Sequence, residues 1–202
     1  MVNNINISEA LSSTRPIIDV RSPKEYQQGH IPNAINIPLF SNEERAEVGT
    51  TYKQVSKEAA IALGTALVNP KLLDFIHNSK KAASEGSAII HCWRGGMRSQ
   101  SFAKHLSDNG FSQLSVITGG YKSYRNYVLD QLEITIKIKL LGGFTGSGKT
   151  YILSELQKLG HQILDLEGLA HHKGSAFGGI GQKAQPTSEQ FGNNLFREIN
   201  KL

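Results

Sequence analysis

The stretch Ser87-Ala88-Ile89-Ile90-His91-Cys92-Trp93-Arg94-Gly95-Gly96-Met97-Arg98-Ser99 runs from an apolar strand straight into a glycine-bearing turn. Residues 99–109 then have the pattern of a helix closed by Gly110. Between a strand and a helix, successive backbone N–H groups can curl around an anion at the helix N-terminus. The same field lowers a thiol's pKa, and the thiolate is the reactive form, favoured further here by Arg94 and Arg98. A lone cysteine is more often just a small buried apolar side chain. Its flanks reverse that expectation, so Cys92 is the candidate nucleophile and Trp93, Arg94, Gly95, Gly96, Met97 and Arg98 the candidate anion loop.

On either side, strand-like runs alternate with helical ones, which predicts an α/β architecture with a largely parallel sheet. Residues 16–20 form a strand pattern, and Ser22-Pro23-Lys24-Glu25 after it is a capping box with proline at the first helical position. Ser56 and Asn69-Pro70 mark further helix starts, with a strand expected at 115–117 and a helix near 123–131. The pattern then restarts with a strand over 134–141, a glycine-rich turn, a new helix and a strand over 162–166. A boundary near Leu132 divides the chain into domains 1–132 and 133–202.

That turn, Gly143-Phe144-Thr145-Gly146-Ser147-Gly148-Lys149-Thr150, matches the P-loop pattern. In it Gly143, Gly146, Ser147 and Gly148 shape a backbone cradle for phosphates, Lys149 reaches the terminal ones and the Thr150 hydroxyl would ligate Mg²⁺. A preceding run of alternating apolar residues (Ile134, Ile136, Ile138, Leu140) and a following helix with Ile152, Leu153, Leu156 and Leu159 support it. Asp165 and Glu167 are as well placed for the surface as for a ligand. Adjacent His171 and His172 point in different directions on any regular element, so no metal site is expected there.

Asp19-Val20-Arg21-Ser22-Pro23-Lys24-Glu25-Tyr26 and Gly29-His30-Ile31-Pro32-Asn33-Ala34-Ile35-Asn36-Ile37-Pro38, with Cys92 and Thr118-Gly119-Gly120-Tyr121, closely resemble the signature of the rhodanese superfamily over roughly residues 10–130. The resemblance implies that Asp19 and Arg21 brace the site. It also implies that common sulfurtransferases place the arginine five positions after the cysteine, whereas Arg98 stands six after Cys92, so the pocket should be larger. His-Cys-x5-Arg-Ser is also the pattern of cysteine phosphatases, some built on this fold, and admits a tetrahedral oxyanion. A thiophosphate or selenophosphate would fit. A phosphatase needs a general acid, which residues 93–97 do not offer and Glu43, Glu44 or Glu47 would have to supply. That reading stays the runner-up, beside a simple sulfurtransferase.

The fusion of this loop to a P-loop is similar to the tRNA 2-selenouridine synthase family. The likeness extends through residues 41–49, Gly119-Gly120-Tyr121-Lys122-Ser123-Tyr124-Arg125, residues 165–170, residues 172–178 and Gln185-Pro186. It implies exchange of the sulfur of wobble 2-thiouridine in tRNA for selenium from selenophosphate, with geranyl transfer from geranyl diphosphate as an associated activity. Cys92 would be the essential cysteine, and a selenophosphate supplier and tRNA the partners. Family members are considerably longer, so the resemblance implies a chain truncated inside its P-loop domain. An inactive fragment that only binds nucleotide or RNA is the non-enzymatic alternative.

Bulk properties exclude little. With 202 residues, 39% of them hydrophobic and 19% charged, the chain has an ordinary globular composition. A net charge of +5 suits a polyanionic partner without requiring one. The first basic residue is Arg15, and residues 134–144 are too short and lysine-interrupted to span a bilayer, so no membrane association and a cytoplasmic location are expected. A reducing compartment would keep the single cysteine free. No permanently bound cofactor is expected. Tyr121, Lys122, Tyr124 and Arg125 combine aromatic and basic groups as RNA contacts do. A buried stripe of Tyr121, Tyr124 and Val128 is the favoured alternative.

Overall fold

The computed structural model describes residues 2–144 and 146–201. It divides into two compact units, Met1–Tyr127 and Val128–Leu202.

The first unit opens with β1 (Asn3–Ile5), α1 (Ile7–Leu11), β2 (Ile17–Asp19), α2 (Pro23–Gln28) and β3 (Ile35–Asn36). A helical layer follows: α3 (Asn42–Gln54), α4 (Lys57–Val68), a 3-10 turn at Asn69–Lys71 and α5 (Leu72–Ala82). Then come β4 (Ser87–His91), α6 (Met97–Asp108), β5 (Gln113–Ile117) and α7 (Gly120–Leu132), the last crossing the division between the units. The strands make one sheet in the order β1-β5-β4-β2-β3, parallel at every pairing. Parallel neighbours need crossover connections, which the intervening helices supply. β4 lies in the middle, and ligands of open parallel sheets sit beyond the carboxyl ends of such strands.

Local chemistry explains the helix starts. Ser22 accepts from the N–H of Glu25 while Glu25 reaches back to the N–H of Ser22 at 3.0 Å, so the expected capping box is present. Ser41 with Glu44 and Asn6 with Glu9 repeat the device. Ser56 caps α4 as expected, but Asn69-Pro70 opens only a 3-10 turn before α5. The core joins Ile18, Val20, Ile90, Val116, Phe102 and Leu106, each contributing on the order of 1.5–3 kcal/mol by leaving water. Lys57–Ala82 is long and apolar enough to cross a membrane by length and composition alone. Here it is interrupted at Pro70, and Leu67, Val68, Leu72, Phe75 and Ile76 pack into the core cluster.

The second unit holds α8 (Lys149–Lys158), α9 (Leu166–Ala170) and α10 (Ser188–Ile199), with α10 packed on α9. Two strand expectations fail here: residues 134–141 and 162–166 are not strands. Alternation of apolar residues gives a strand only when a neighbour pairs its backbone. No strand lies within this unit among the described residues, and Ile134, Ile138 and Leu140 stand exposed. Asp165, expected at a strand end, instead caps α9 by accepting from the Gly168 N–H.

Candidate active site

Cys92 follows β4 directly, and its loop turns into α6 within five residues. Gly95 has φ 64° and Gly120 φ 58°, a left-handed backbone that favours glycine. A side chain at Gly120 would lie 2.3 Å from the Cys92 carbonyl oxygen, and one at Gly95 2.2 Å from that of Ile117. The two glycines thus let residues 117–120 lie flat behind the loop. The N–H of Tyr121 donates to the Cys92 carbonyl at 2.9 Å, and that of Lys122 to Trp93 at 3.0 Å. These bonds occupy carbonyls on the back of the loop.

The Cys92 side chain is buried, with Sγ 3.3 Å from Ser99 Oγ. Burial pushes the thiol's pKa up, but the Ser99 hydroxyl, the Arg98 guanidinium and the backbone N–H groups of Arg94 and Ser99 outweigh it and hold it below the usual value. The Ser99 hydroxyl also reaches the Gly96 carbonyl at 3.0 Å. With one proton to give, it can bond that carbonyl while the thiol is neutral and turn to the sulfur once the thiol ionises.

Arg98 donates through Nη1 to Glu25 Oε2 at 3.0 Å. The same oxygen accepts from the Ser22 N–H, while Arg45 Nε lies 3.5 Å from Oε1. Burial raises the Glu25 pKa, yet Arg98, the Ser22 N–H and Arg45 together keep it below the ordinary carboxylate value, so Glu25 is an anion that orients Arg98. In sequence Glu25 is already explained as a capping residue. Its second task links positions 73 residues apart, which local pattern does not reveal.

Beneath the loop, Arg21 grips Asp19 through Nε at 3.0 Å and Nη2 at 2.6 Å, and donates to the Gly29 carbonyl at 2.7 Å. Its guanidinium lies 3.8 Å over the Tyr121 ring. Parallel register sets Asp19 beside His91, and His91 Nε2 stands 3.6 Å from Asp19 Oδ2 without a hydrogen-bond partner. Burial disfavours the His91 cation more than Asp19 favours it, so His91 is neutral. For Asp19 burial acts to raise the pKa, and His91 and Arg21 reverse it, keeping the carboxylate ionised. Asp19 and Arg21 therefore sit under the loop and not in it.

Trp93, Arg94, Gly96 and Met97 are exposed around the mouth, with Gly95 and Arg98 half-buried. Tyr121, Tyr124 and Val128 are fully buried, which removes both tyrosines as base-stacking surfaces. Glu43 and Glu44 do not serve as acids. Glu43 is stabilised as an anion by its own backbone N–H and the Ser41 hydroxyl; Glu44, despite its burial, is held low by Lys71 and the Ser41 N–H. A general acid needs the opposite shift.

The second loop is in a different condition. Gly143, Gly146, Ser147, Gly148 and Thr150 are exposed, and Thr145 lies outside the described residues. Gly148, at φ 80°, caps α8. Lys149 Nζ donates to the carbonyls of Gly143 and Phe144, both at 3.0 Å, so it spans its own loop. Among the described residues no group of three His, Cys, Asp or Glu side chains is arranged to hold a metal.

Comparison with known proteins matches each half separately. Residues 5–127 match the rhodanese-like domain, and residues 136–202 match the tRNA 2-selenouridine synthase AAA domain. The tRNA 2-selenouridine synthase of Nitrosomonas europaea is 42% identical over 198 residues, covering 93% of this chain and 49% of that protein. That of Serratia proteamaculans is 46% identical over 167 residues, covering 81% and 44%. The chain thus spans about half the length of the curated relatives it matches. Among solved structures, the N-terminal domain of a putative ATP/GTP binding protein from Clostridium difficile 630 is 43% identical, with a TM-score of 0.58, over 63% of this chain and 99% of that one. With more than half of its length matched over residues 5–127, the chain belongs to the rhodanese-like domain family, here joined to the AAA domain of tRNA 2-selenouridine synthases.

Proposed function

We propose that the chain is the selenium-handling part of a tRNA-modifying selenotransferase that exchanges the sulfur of wobble 2-thiouridine for selenium from selenophosphate. The observation that carries this is Cys92, held toward its thiolate form beneath an anion loop whose Arg98 is oriented by Glu25. The names of the relatives supply the acceptor, tRNA, and the product, 2-selenouridine. Selenophosphate is the matching donor because a six-position loop with Arg94 and Arg98 suits a tetrahedral dianion. A selenophosphate-producing enzyme is then the expected supplier, and the cytoplasm the expected compartment.

The P-loop suits a diphosphate, and geranyl diphosphate is the co-substrate that would occupy it in the associated geranyl transfer. Lys149, released from the Gly143 and Phe144 carbonyls, would pair with phosphate oxygens. Thr150, exposed at the start of α8, is the hydroxyl that would ligate an accompanying Mg²⁺ and so help neutralise the leaving diphosphate.

Incubation of the chain with selenophosphate, geranyl diphosphate and thiolated tRNA, followed by mass spectrometry of the nucleosides, tests this reading. Conversion of 2-thiouridine to 2-selenouridine, lost in Cys92→Ser, is the expected result. Unchanged 2-thiouridine with selenophosphate left intact would refute it.

A further inference from the structure

We infer that Cys92 attacks phosphorus and not selenium: it cleaves the P–Se bond of a selenium-bound phosphoryl group through a transient phosphocysteine. The inference rests on the selenophosphate reading above and specifies what the cysteine does within it.

Electron balance separates the two routes. Selenium in selenophosphate is already at the selenide level. If the Cys92 thiolate bonded to it as a perselenide, sulfur and selenium would together lose two electrons. Phosphorus would have to leave as phosphite, or an external oxidant would have to act, and neither the loop nor the overall exchange provides one. Attack on phosphorus needs no redox step. The sulfur lone pair forms an S–P bond, the P–Se bond breaks, and selenium leaves with both electrons as hydrogen selenide or as a selenolate on the nucleoside. Water then cleaves the S–P bond, releasing inorganic phosphate and restoring the thiolate.

The site suits this second route in three ways. Cys92 lies at the floor of a loop six positions from Arg98, a spacing able to surround a tetrahedral phosphoryl group, and Arg98 is fixed by Glu25 before any ligand arrives. Ser99 Oγ, 3.3 Å from Cys92 Sγ, can donate to the sulfur as it regains charge when the S–P bond breaks. Finally, Glu43 and Glu44 are engaged as anions elsewhere, so no proton donor among them awaits a leaving group. An alcohol leaving group would need that donor. A selenolate does not, because a selenol is a far stronger acid and departs as its anion at neutral pH. What disfavours an ordinary phosphatase therefore favours P–Se cleavage.

The test uses the full chain and selenophosphate labelled separately in phosphorus and in selenium, acid-quenched on the time scale of one turnover. It is run with selenophosphate alone and with selenophosphate plus S-alkylated thiolated tRNA, which distinguishes a free donor from a phosphoryl group carried on the nucleoside. Phosphorus label on Cys92, absent in Cys92→Ser, is the expected result in one arm or both. Ser99→Ala should raise the phosphorus-labelled fraction about tenfold by slowing S–P cleavage, the effect of losing one hydrogen bond to a developing thiolate. Selenium label on Cys92 without phosphorus would overturn the inference while leaving selenophosphate as the donor. Product formation with neither label on the cysteine would overturn it as well. Intact selenophosphate in every arm would remove the inference together with the reading on which it rests.

Discussion

The chain carries two glycine-rich loops suited to anions, one before α6 and one before α8, and they differ in what holds them. Behind the Cys92 loop stand Gly119 and Gly120, beneath it the Asp19–Arg21 pair, and across it Glu25 fixes Arg98 from 73 residues away. The loop over residues 143–150 is exposed, and its lysine bonds carbonyls only five and six residues back. Both match a motif. Only the first is held by distant parts of the chain, and long-range support fixes a reactive geometry within the narrow tolerance that catalysis needs.

The sharpest way to break this contrast is to remove the support. Arg21→Met leaves Asp19 buried and unpaired and should cost the first unit about 3–5 kcal/mol in urea unfolding, while Asp19→Leu together with Arg21→Met recovers much of it. Lys149→Met, by comparison, should change stability by less than about 0.5 kcal/mol. Equal effects of the two single substitutions would mean that the loops are not differently supported.

Glycines provide a second comparison. Gly120→Ala meets the left-handed penalty of about 1–2 kcal/mol plus a clash at 2.3 Å with the Cys92 carbonyl, so it should both destabilise and slow alkylation of Cys92. At Gly146, φ 80° with open space around it, alanine should meet the backbone penalty alone and leave Cys92 reactivity unchanged. Stability and iodoacetamide kinetics read both.

This contrast also marks what could be read in the sequence. The central strand Ser87–His91, the capping box at Ser22 and Glu25 and the α/β class are local or periodic signals, and the structure contains them. Glu25 as the partner of Arg98 was not legible, because its capping role already accounted for it and the contact arises only when α2 meets α6. The strand expected at 134–141 shows the opposite error. Ile134, Ile136, Ile138 and Leu140 alternate as a strand does, but a strand exists through its neighbours, which local periodicity cannot supply. Tyr121 was ambiguous for a similar reason: its place under Arg21 depends on the pairing of distant strands.

Acid should act on the first unit through its carboxylates. Asp19 and Glu25 both have folded pKa values below their ordinary ones, 3.8 and 4.5. Their stabilisation is therefore complete above those ordinary values and is lost as the pH falls through the lower, folded ones. Unfolding free energy should be flat from neutrality to about pH 5 with respect to these groups and fall below it, and Glu25→Gln should make the fall shallower. An unchanged slope in that variant would show that Glu25 is not held by Arg98.

The smallest of these effects and the most specific is a single hydrogen bond. Ser99→Ala should shift the Cys92 titration upward with little loss of fold, since Ser99 stabilises the thiolate and not the thiol.

That titration in the unaltered chain tests the account most directly, because Cys92 is the single cysteine in 202 residues and its alkylation needs no correction for others. Iodoacetamide reaction rates measured against pH, with and without thiophosphate, should give a midpoint below that of a free thiol and strong protection by the anion. A midpoint at or above the free value, with rates indifferent to thiophosphate, would contradict the claim that this loop holds a thiolate and an oxyanion together.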